Sequence, residues 1–120
     1  MLKKKKNIND SPDEEAMYII DGVCWKCKQQ MKVALIRGDF EKRGGSTSGP
    51  KTFTSEEIEI ASSKGVFMNE QYSGSINDSY LANTCNSCGS FVGEFFLFTD
   101  YLHPAEMGDY KYERIELKQT

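Results

Sequence analysis

The residues whose types and spacing could do chemistry are four cysteines in two Cys-x-x-Cys pairs, Cys24 with Cys27 and Cys85 with Cys88. Two thiolates separated by two residues can bind one metal ion while the backbone between them turns and points its N–H groups at the sulfurs. Two such pairs complete the tetrahedral four-sulfur shell that zinc prefers in structural sites. The pattern therefore predicts one structural zinc ion (Zn2+) held by all four cysteines.

The same four cysteines are compatible with other chemistry. Two disulfides would need an oxidising compartment, but the lysine run at positions 3–6 is not followed by the apolar stretch of a signal peptide. We therefore expect a cytoplasmic protein with reduced thiols. An iron–sulfur cluster uses the same ligands and stays an alternative. A thioredoxin-like redox pair would need one Cys-x-x-Cys beside a βαβ pattern, which is not evident in the sequence.

Residues around the two pairs favour a metal site in a β-rich fold. Gly89 directly follows the second pair, where a tight turn often needs positive φ. A segment with strand-like alternation follows each pair. However, 57 residues separate Cys27 from Cys85, whereas simple zinc sites of this type leave about 15–20. The excess predicts an inserted lobe over residues 38–79.

Length and composition predict one small domain that depends on its metal. The chain has 120 residues, of which 38% are hydrophobic and 28% are charged, so its core would be lean. We expect a flexible N-terminal tail over residues 1–15 and a single zinc-stabilised domain over residues 16–120. No apolar run approaches the ~20 residues of a membrane span. The sequence indicates neither a membrane partner nor a small-molecule substrate.

Charge is distributed unevenly along the chain. The net charge of −3 argues against a general nucleic-acid coat protein, whose domain would be basic. Residues 1–43 carry a balance of +3, whereas residues 44–120 carry −6. The first part of the chain therefore has one basic neighbourhood, and the remainder is acidic.

Alternation of apolar and polar residues predicts the strands. Residues 17–23 are predicted as a strand leading into the first cysteine pair, and residues 28–35 as a half-buried strand after it. A short strand is expected at 66–68 and a last strand at 110–118. The strongest strand prediction covers 91–99, with both faces apolar. Phe91, Phe95 and Leu97 would share one face, and Val92, Phe96 and Phe98 the other.

A capping box predicts one helix. Thr54 can accept a hydrogen bond from a free N–H group at the helix start, and Glu57 stands at the matching position. The helix would cover about residues 55–63 and end at Gly65. Glycine- and serine-rich residues predict loops at 38–51 and 73–79. The elements together give an α+β fold with mainly antiparallel strands and one short helix in the inserted lobe.

At Cys24-Trp25-Lys26-Cys27 and over the run from Tyr80 to Gly89 (YLANTCNSCG), the chain resembles the zinc-ribbon group of small bacterial or phage proteins. The resemblance covers the two cysteine pairs and the strands after them, about 40 residues. It implies a zinc-ribbon-like antiparallel β-sheet. It also implies a structural module that contacts DNA, RNA or other proteins and is rarely catalytic. The long insertion and the acidic second part depart from that pattern.

Residues beside the metal ligands support a nucleic-acid hypothesis. Trp25 lies between the two ligands of the first pair, where its ring could stack on a base. Basic side chains close to it could contact phosphates. They are Lys26, Lys28, Lys32 and Arg37. The alternative interpretation is that Trp25 shields the zinc and that the basic residues form a solvated strand face.

Aromatic residues after the second pair support a protein-interaction hypothesis. Phe96 and Phe98, together with Tyr101 and Leu102, could form an exposed apolar patch, and the acidic lobe would suit a basic partner. Alternatively, the lobe covers these aromatics as core. We therefore predict a non-catalytic zinc-binding interaction module that contacts or regulates a larger machine. Nucleic-acid binding through Trp25 and the nearby lysines is the alternative function.

Catalytic residues are hard to find in this sequence. His103 is the single histidine, and we expect it to lie in a turn. Glu116 and Lys118 resemble the acid-x-lysine pair of metal-dependent nucleases. Asp100 or Asp109 could act as the upstream carboxylate that helps to hold Mg²⁺. Since alternating charge at the end of an exposed strand often gives such a triplet by chance, a nuclease is a remote alternative and we expect no enzyme.

Overall fold

The computed structural model of the protein describes residues 15–38, 47–73 and 77–117. Within them the chain forms an α+β fold with antiparallel sheets, as the sequence predicts. The predicted tail lies outside the described residues except for Glu15, which is buried and begins the first strand. The first strand therefore includes Glu15, one residue before the predicted start of the domain.

Six strands are present in the described part of the chain. They are β1 (Glu15–Val23), β2 (Gln30–Arg37), β3 (Thr47–Ser48), β4 (Met68–Ser73), β5 (Asp78–Asn83) and β6 (Lys111–Leu117). One sheet has the order β3-β2-β1-β6, and β4 pairs with β5 in a second sheet. The strands predicted on either side of the first cysteine pair and at the C-terminus are confirmed. The strand predicted at 66–68 starts later, at Met68, and is longer.

The two central strands, β1 and β2, are buried on both faces. Met31, Val33 and Leu35 of β2 share one face, as the alternation predicts. Ala34 and Ile36 on the opposite face are buried as well. The prediction of a half-buried β2 holds at Gln30, which is exposed, and at Lys32, which is partly exposed. It is wrong from Ala34 onward, because a second layer covers that part of the face.

The predicted helix forms that second layer. Helix α1 covers Ser55–Ser63, and its start has the predicted capping box: Thr54 Oγ1 accepts from the Glu57 N–H at 3.2 Å, and Glu57 Oε1 accepts from the Thr54 N–H at 2.9 Å. Gly65 follows with φ 93° and ends the helix. Ala61 and the flanking Phe53 and Val66 pack against the sheet. The segment predicted as an inserted lobe thus contributes to the core of the larger sheet.

The segment 91–99 is not the predicted strand, and that prediction is wrong. Phe91 pairs with Thr84 in an isolated bridge. The chain then forms a 3-10 turn at Glu94–Phe96, a π-helical turn at Phe98–Leu102 and a short helix α2 at His103–Glu106. The described chain therefore has a second short helix, and His103 begins it instead of lying in a turn.

Apolar spacing explains this helical segment. The side chains of Leu97, Tyr101, Leu102 and Ala105 are buried, and their spacing is that of one helical face. This face packs on the side of the sheet that carries Met31, Val33 and Leu35. The sequence predicts that Tyr101 and Leu102 belong to an exposed apolar patch. That prediction is wrong, because both are buried core residues. The Tyr101 hydroxyl donates to the Val23 carbonyl at 2.9 Å, which ties the segment to the end of β1.

A buried asparagine connects the smaller sheet to the larger one. Asn83, at the end of β5, is completely buried. Its Oδ1 accepts from the Ala34 N–H at 2.8 Å, and its Nδ2 donates to the Ala34 carbonyl at 2.9 Å. Strand β3 covers the outer edge of β2 only at Ile36 and Arg37. At Ala34 the side chain of Asn83 takes the two hydrogen bonds that a neighbouring strand would make. It fixes the strand that leads into the second cysteine pair.

Candidate metal centre and apolar pocket

The four cysteine sulfurs converge, as the pattern predicts. All four Sγ atoms lie within 4.8 Å of one another. Across the two pairs, the sulfurs of Cys24 and Cys88 are 3.7 Å apart, and those of Cys27 and Cys85 are 3.6 Å apart. Four thiolates around one ion at metal–sulfur distances of about 2.3 Å form a tetrahedron with edges of about 3.8 Å. The donor set therefore fits one metal ion.

These distances do not fit disulfides. A disulfide holds its sulfurs about 2.05 Å apart, and all four cysteines are free thiols. The two 3.6–3.7 Å approaches also join the first pair to the second, and not the cysteines within a pair. The centre therefore links the end of β1 to the segment after β5, which are distant in sequence.

The two cysteine turns have the same backbone hydrogen bonds. In the first turn, Cys24 N–H donates to the Gln29 carbonyl at 2.8 Å, and Lys28 N–H donates to the Cys24 carbonyl at 3.0 Å. In the second turn, Cys85 N–H donates to the Ser90 carbonyl at 2.7 Å and Gly89 N–H donates to the Cys85 carbonyl at 2.9 Å. Each turn closes on a residue with positive φ, 69° at Lys28 and 81° at Gly89. We name them turn 1 (24–29) and turn 2 (85–90).

Backbone N–H groups point at the buried sulfur of each turn. Cys24 Sγ accepts from the N–H of Lys26 at 3.4 Å and from that of Cys27 at 3.5 Å. Cys85 Sγ accepts from the Ser87 N–H at 3.4 Å. Such contacts stabilise negative charge on sulfur, which four thiolates around a dication require. The predicted orientation of the N–H groups is confirmed.

Hydrogen bonds also favour the thiolate form in turn 2. The side chain and then the backbone N–H of Ser90 lower the pKa of Cys88 to about 6. The backbone N–H groups of Cys88 and Ser87 lower the pKa of Cys85. Since the thiolate is the metal ligand, both shifts favour metal binding by turn 2. Turn 2 is thereby prepared to bind a metal ion.

An open pocket of about 460 Å³ adjoins the metal centre. We call it the apolar pocket. Its described lining consists of Trp25, Phe91, Val92, Gly93, Phe96 and Asp100. Trp25 comes from turn 1, and the other five residues come from the segment after turn 2. The pocket therefore lies where the four-cysteine cluster brings these two parts of the chain together.

A hydrogen bond to the segment after turn 2 anchors Trp25 at the pocket. The indole Nε1 donates to the Phe91 carbonyl at 3.0 Å, although 53% of the Trp25 side chain stays exposed. Phe96 is 50% exposed. The structure thus brings together Trp25 and Phe96, which the sequence had assigned to two different binding hypotheses.

Most of the predicted basic residues have acidic or carbonyl partners. Lys32 Nζ lies 2.9 Å from Asp21 Oδ1, and Arg37 pairs with Glu106. Lys28 Nζ donates to the carbonyl of Trp25 at 3.1 Å. Lys26 is exposed in turn 1. Two of the four charges that are predicted to contact phosphates, those of Lys32 and Arg37, are therefore paired with carboxylates.

The remaining predicted site residues lie apart from the centre. Phe98 is 41% exposed and does not line the apolar pocket, and its ring centroid lies 6.0 Å from that of His103. Glu116 is exposed on β6 and pairs with Arg114 at 3.1 Å. Lys118 lies outside the described residues, so the acid-x-lysine hypothesis stays a prediction.

Comparisons with known proteins add no relative: no family model, no curated protein and no solved structure matches this chain. The resemblance to zinc ribbons therefore rests on the two cysteine pairs. Among the described helices, none has the length and apolar character needed to cross a membrane.

Sequence reasoning missed the residues that shape the surroundings of the centre. Asn83 and Ser90 are polar residues whose roles depend on long-range pairing and turn geometry, and nothing in their neighbours marks them. For Asp100 the sequence predicts only a role as a remote catalytic carboxylate. The helical spacing of the apolar residues from Leu97 to Ala105 is a signal that predicts a helix there. A helix places Asp100 on a turn that shares the pocket lining with Phe96.

Proposed function

We propose that this chain is a non-catalytic module in which one structural zinc ion holds together a surface for a protein partner. The observation that carries the proposal is the apolar pocket beside the metal centre. Its walls come from both sides of the four-cysteine cluster, so the pocket depends on the metal. Half-exposed aromatic side chains of this kind are typical of protein interfaces.

Zinc is the metal that best explains the cysteine geometry. A single ion matches sulfurs that lie within 4.8 Å of one another, whereas an iron–sulfur cluster places several atoms between its thiolate ligands and spreads them farther apart. Four thiolates in a closed shell leave no open position for substrate or water, which is typical of structural zinc. This chemistry supports a stabilising role and argues against catalysis at the metal.

A protein partner explains the surface better than a nucleic acid. Phe96 is half exposed next to Trp25, and contiguous apolar surface of this type is a marker of protein docking. The acidic balance of residues 44–120 opposes phosphate binding. The ion pairs of Lys32 and Arg37 reduce the positive charge that phosphates would need.

Nucleic-acid binding is the second candidate because of one observation. Trp25 and Lys26 are both exposed at the tip of turn 1, where an indole could stack on a base while an ammonium contacts phosphate. This hypothesis uses Trp25 but does not require Phe96. The two functions therefore predict different effects of substituting Phe96.

The metal is tested by elemental analysis of the purified protein together with thermal unfolding. We expect one zinc per chain, no visible absorption from iron, and loss of the cooperative transition after treatment with a strong chelator. A chain that unfolds at the same temperature with and without the chelator would contradict a structural metal.

The partner is tested by placing a photoreactive phenylalanine analogue at position 96 in cells that express the protein naturally. The matched control position is Tyr72, which is 60% exposed on β4 and does not line the pocket. We expect a protein cross-linked from position 96 and not from 72. The purified partner should then bind wild type and Tyr72→Ala equally and Phe96→Ala at least about tenfold more weakly.

Fluorescence anisotropy with labelled DNA and RNA tests the nucleic-acid alternative. Salt-sensitive micromolar binding that is lost in Trp25→Ala and Lys26→Ala but kept in Phe96→Ala would identify the nucleic-acid module instead.

A further inference from the structure

We propose that the apolar pocket receives an arginine side chain from a basic segment of the partner protein. This inference rests on the proposed function and names the chemistry that the partner must supply. It follows from which side chains line the pocket and how they are held.

The pocket combines aromatic walls with one charged group. Trp25, Phe91 and Phe96 supply the aromatic surface, and Asp100 is the charged residue of the described lining. No lysine or arginine is present in that lining. A cation is the charged ligand that this combination favours, because aromatic faces attract cations and a carboxylate pairs with them.

An arginine fits this lining better than a lysine. The guanidinium is planar, stacks on aromatic rings and forms two parallel hydrogen bonds with a carboxylate, and it loses less hydration on burial than an ammonium does. Its aliphatic stem would contact the apolar walls at Val92 and Gly93. A volume of about 460 Å³ admits the side chain together with parts of its neighbours in a peptide.

Two features prepare the pocket for such a ligand. The Nε1 hydrogen bond to the Phe91 carbonyl fixes the indole of Trp25 before binding, so less conformational freedom is lost when the ligand binds. The charge of −6 over residues 44–120, which contribute five of the six lining residues, attracts a basic segment at long range.

The test uses the full zinc-loaded chain and two tripeptides that differ in one charged group. Acetyl-Leu-Arg-Leu-amide is compared with acetyl-Leu-citrulline-Leu-amide, in which a neutral urea of nearly the same shape replaces the guanidinium. Trp25 is the single tryptophan of the chain, so its fluorescence reports binding at the pocket directly. A lysine tripeptide of the same design serves as the third ligand.

We expect the arginine peptide to bind at least about tenfold more tightly than the citrulline peptide, with lysine between them. Asp100→Asn should remove most of that preference, whereas the control Asp109→Asn, exposed and outside the lining, should keep it. Added salt should weaken binding of the arginine peptide but not of the citrulline peptide. Equal binding of arginine and citrulline by the wild-type protein, or no binding of either, overturns the inference without any variant.

The outcome is separable from the test of the proposed function. If position 96 cross-links a protein whose binding needs Phe96 but the tripeptides are not discriminated, the partner stands and the arginine inference is wrong. If arginine is discriminated through Asp100 but only nucleic acid is captured, the pocket chemistry stands and the protein-partner proposal is wrong.

Discussion

Turn 1 and turn 2 have the same backbone structure but carry different residues. Each supplies one buried and one more exposed cysteine, and each closes with the same two hydrogen bonds on a residue with positive φ. Turn 1 places Trp25 and Lys26 between its ligands, whereas turn 2 places Asn86 and Ser87 there. The shared backbone places the two cysteines of each turn for metal binding. The residues between the ligands differ, so the two turns can have different roles in binding a partner.

The turns also differ in how the chain enters them. Turn 1 follows β1, which is paired on both sides by β2 and β6. Turn 2 follows β5, whose strand pairing is with β4 and which reaches the larger sheet through the side chain of Asn83. The comparison teaches that one half of the cysteine cluster follows directly from a paired sheet strand. The other half is joined to that sheet by the side chain of Asn83 and by the packing of Cys85 and Val92 in the core.

The largest effect is expected from removing a ligand in either turn. Cys24→Ser and Cys85→Ser should both abolish the cooperative unfolding transition seen by circular dichroism and lower the zinc content below one per chain, because each removes a ligand that lies in the core. A melt identical to wild type for one of the two would show that the turns do not share one ion. The wild-type chain with chelator is the matched reference for both variants.

The next largest effect tests the different entry strands. Asn83→Ala leaves the buried N–H and carbonyl of Ala34 without the partner that they have in the native chain. Two such losses should cost about 2–4 kcal/mol in the free energy of unfolding. Urea denaturation of the zinc-loaded protein measures it.

Asn69→Ala on β4 is the matched control, since Asn69 is exposed, and it should change stability by less than about 0.5 kcal/mol. Equal costs for the two alanine variants would show that Asn83 does not hold turn 2 to the sheet.

The helix and the two cysteine pairs can be predicted from the sequence, because residues close together in the chain determine them. The Thr54–Glu57 capping box and Gly65 act within one helix, and its bounds are predicted correctly. The paired cysteines predict the cluster because each Cys-x-x-Cys pair is a local two-ligand unit and two such units complete a zinc shell. The helix and each cysteine pair are local features, whereas the meeting of the two pairs depends on the fold of the chain between them.

The errors arise where tertiary contacts decide. Six of the nine residues from Phe91 to Thr99 are apolar, so alternation and helical periodicity both describe the run. Burial of Leu97 and Tyr101 selects the helix. Trp25 and Phe96 line the same pocket only because the two turns converge. The pocket could not be predicted from either segment alone.

A smaller effect is expected at the residue that closes each turn. Gly89 has φ 81° and no heavy atom within 4 Å of where a Cβ would lie, so Gly89→Ala should cost about 1 kcal/mol through the backbone conformation alone. Lys28 already adopts φ 69° with a side chain. Lys28→Gly should therefore leave stability unchanged or raise it by less than about 1 kcal/mol. Chemical denaturation of both variants with zinc bound measures the two changes in the free energy of unfolding. If Lys28→Gly lowers this free energy as Gly89→Ala does, the two closing positions are not equivalent.

The smallest effect on stability, and the largest contrast in binding, is expected at the tips. Trp25→Ala loses the exposed hydrogen bond to the Phe91 carbonyl and should cost no more than about 1 kcal/mol, and Asn86→Ala should cost less than about 0.5 kcal/mol. Binding of the cross-linked partner should fall only for Trp25→Ala, because Asn86 does not line the apolar pocket. If Asn86→Ala weakens partner binding as much as Trp25→Ala does, the partner contacts both tips around the metal, and the division of roles between the two turns is wrong.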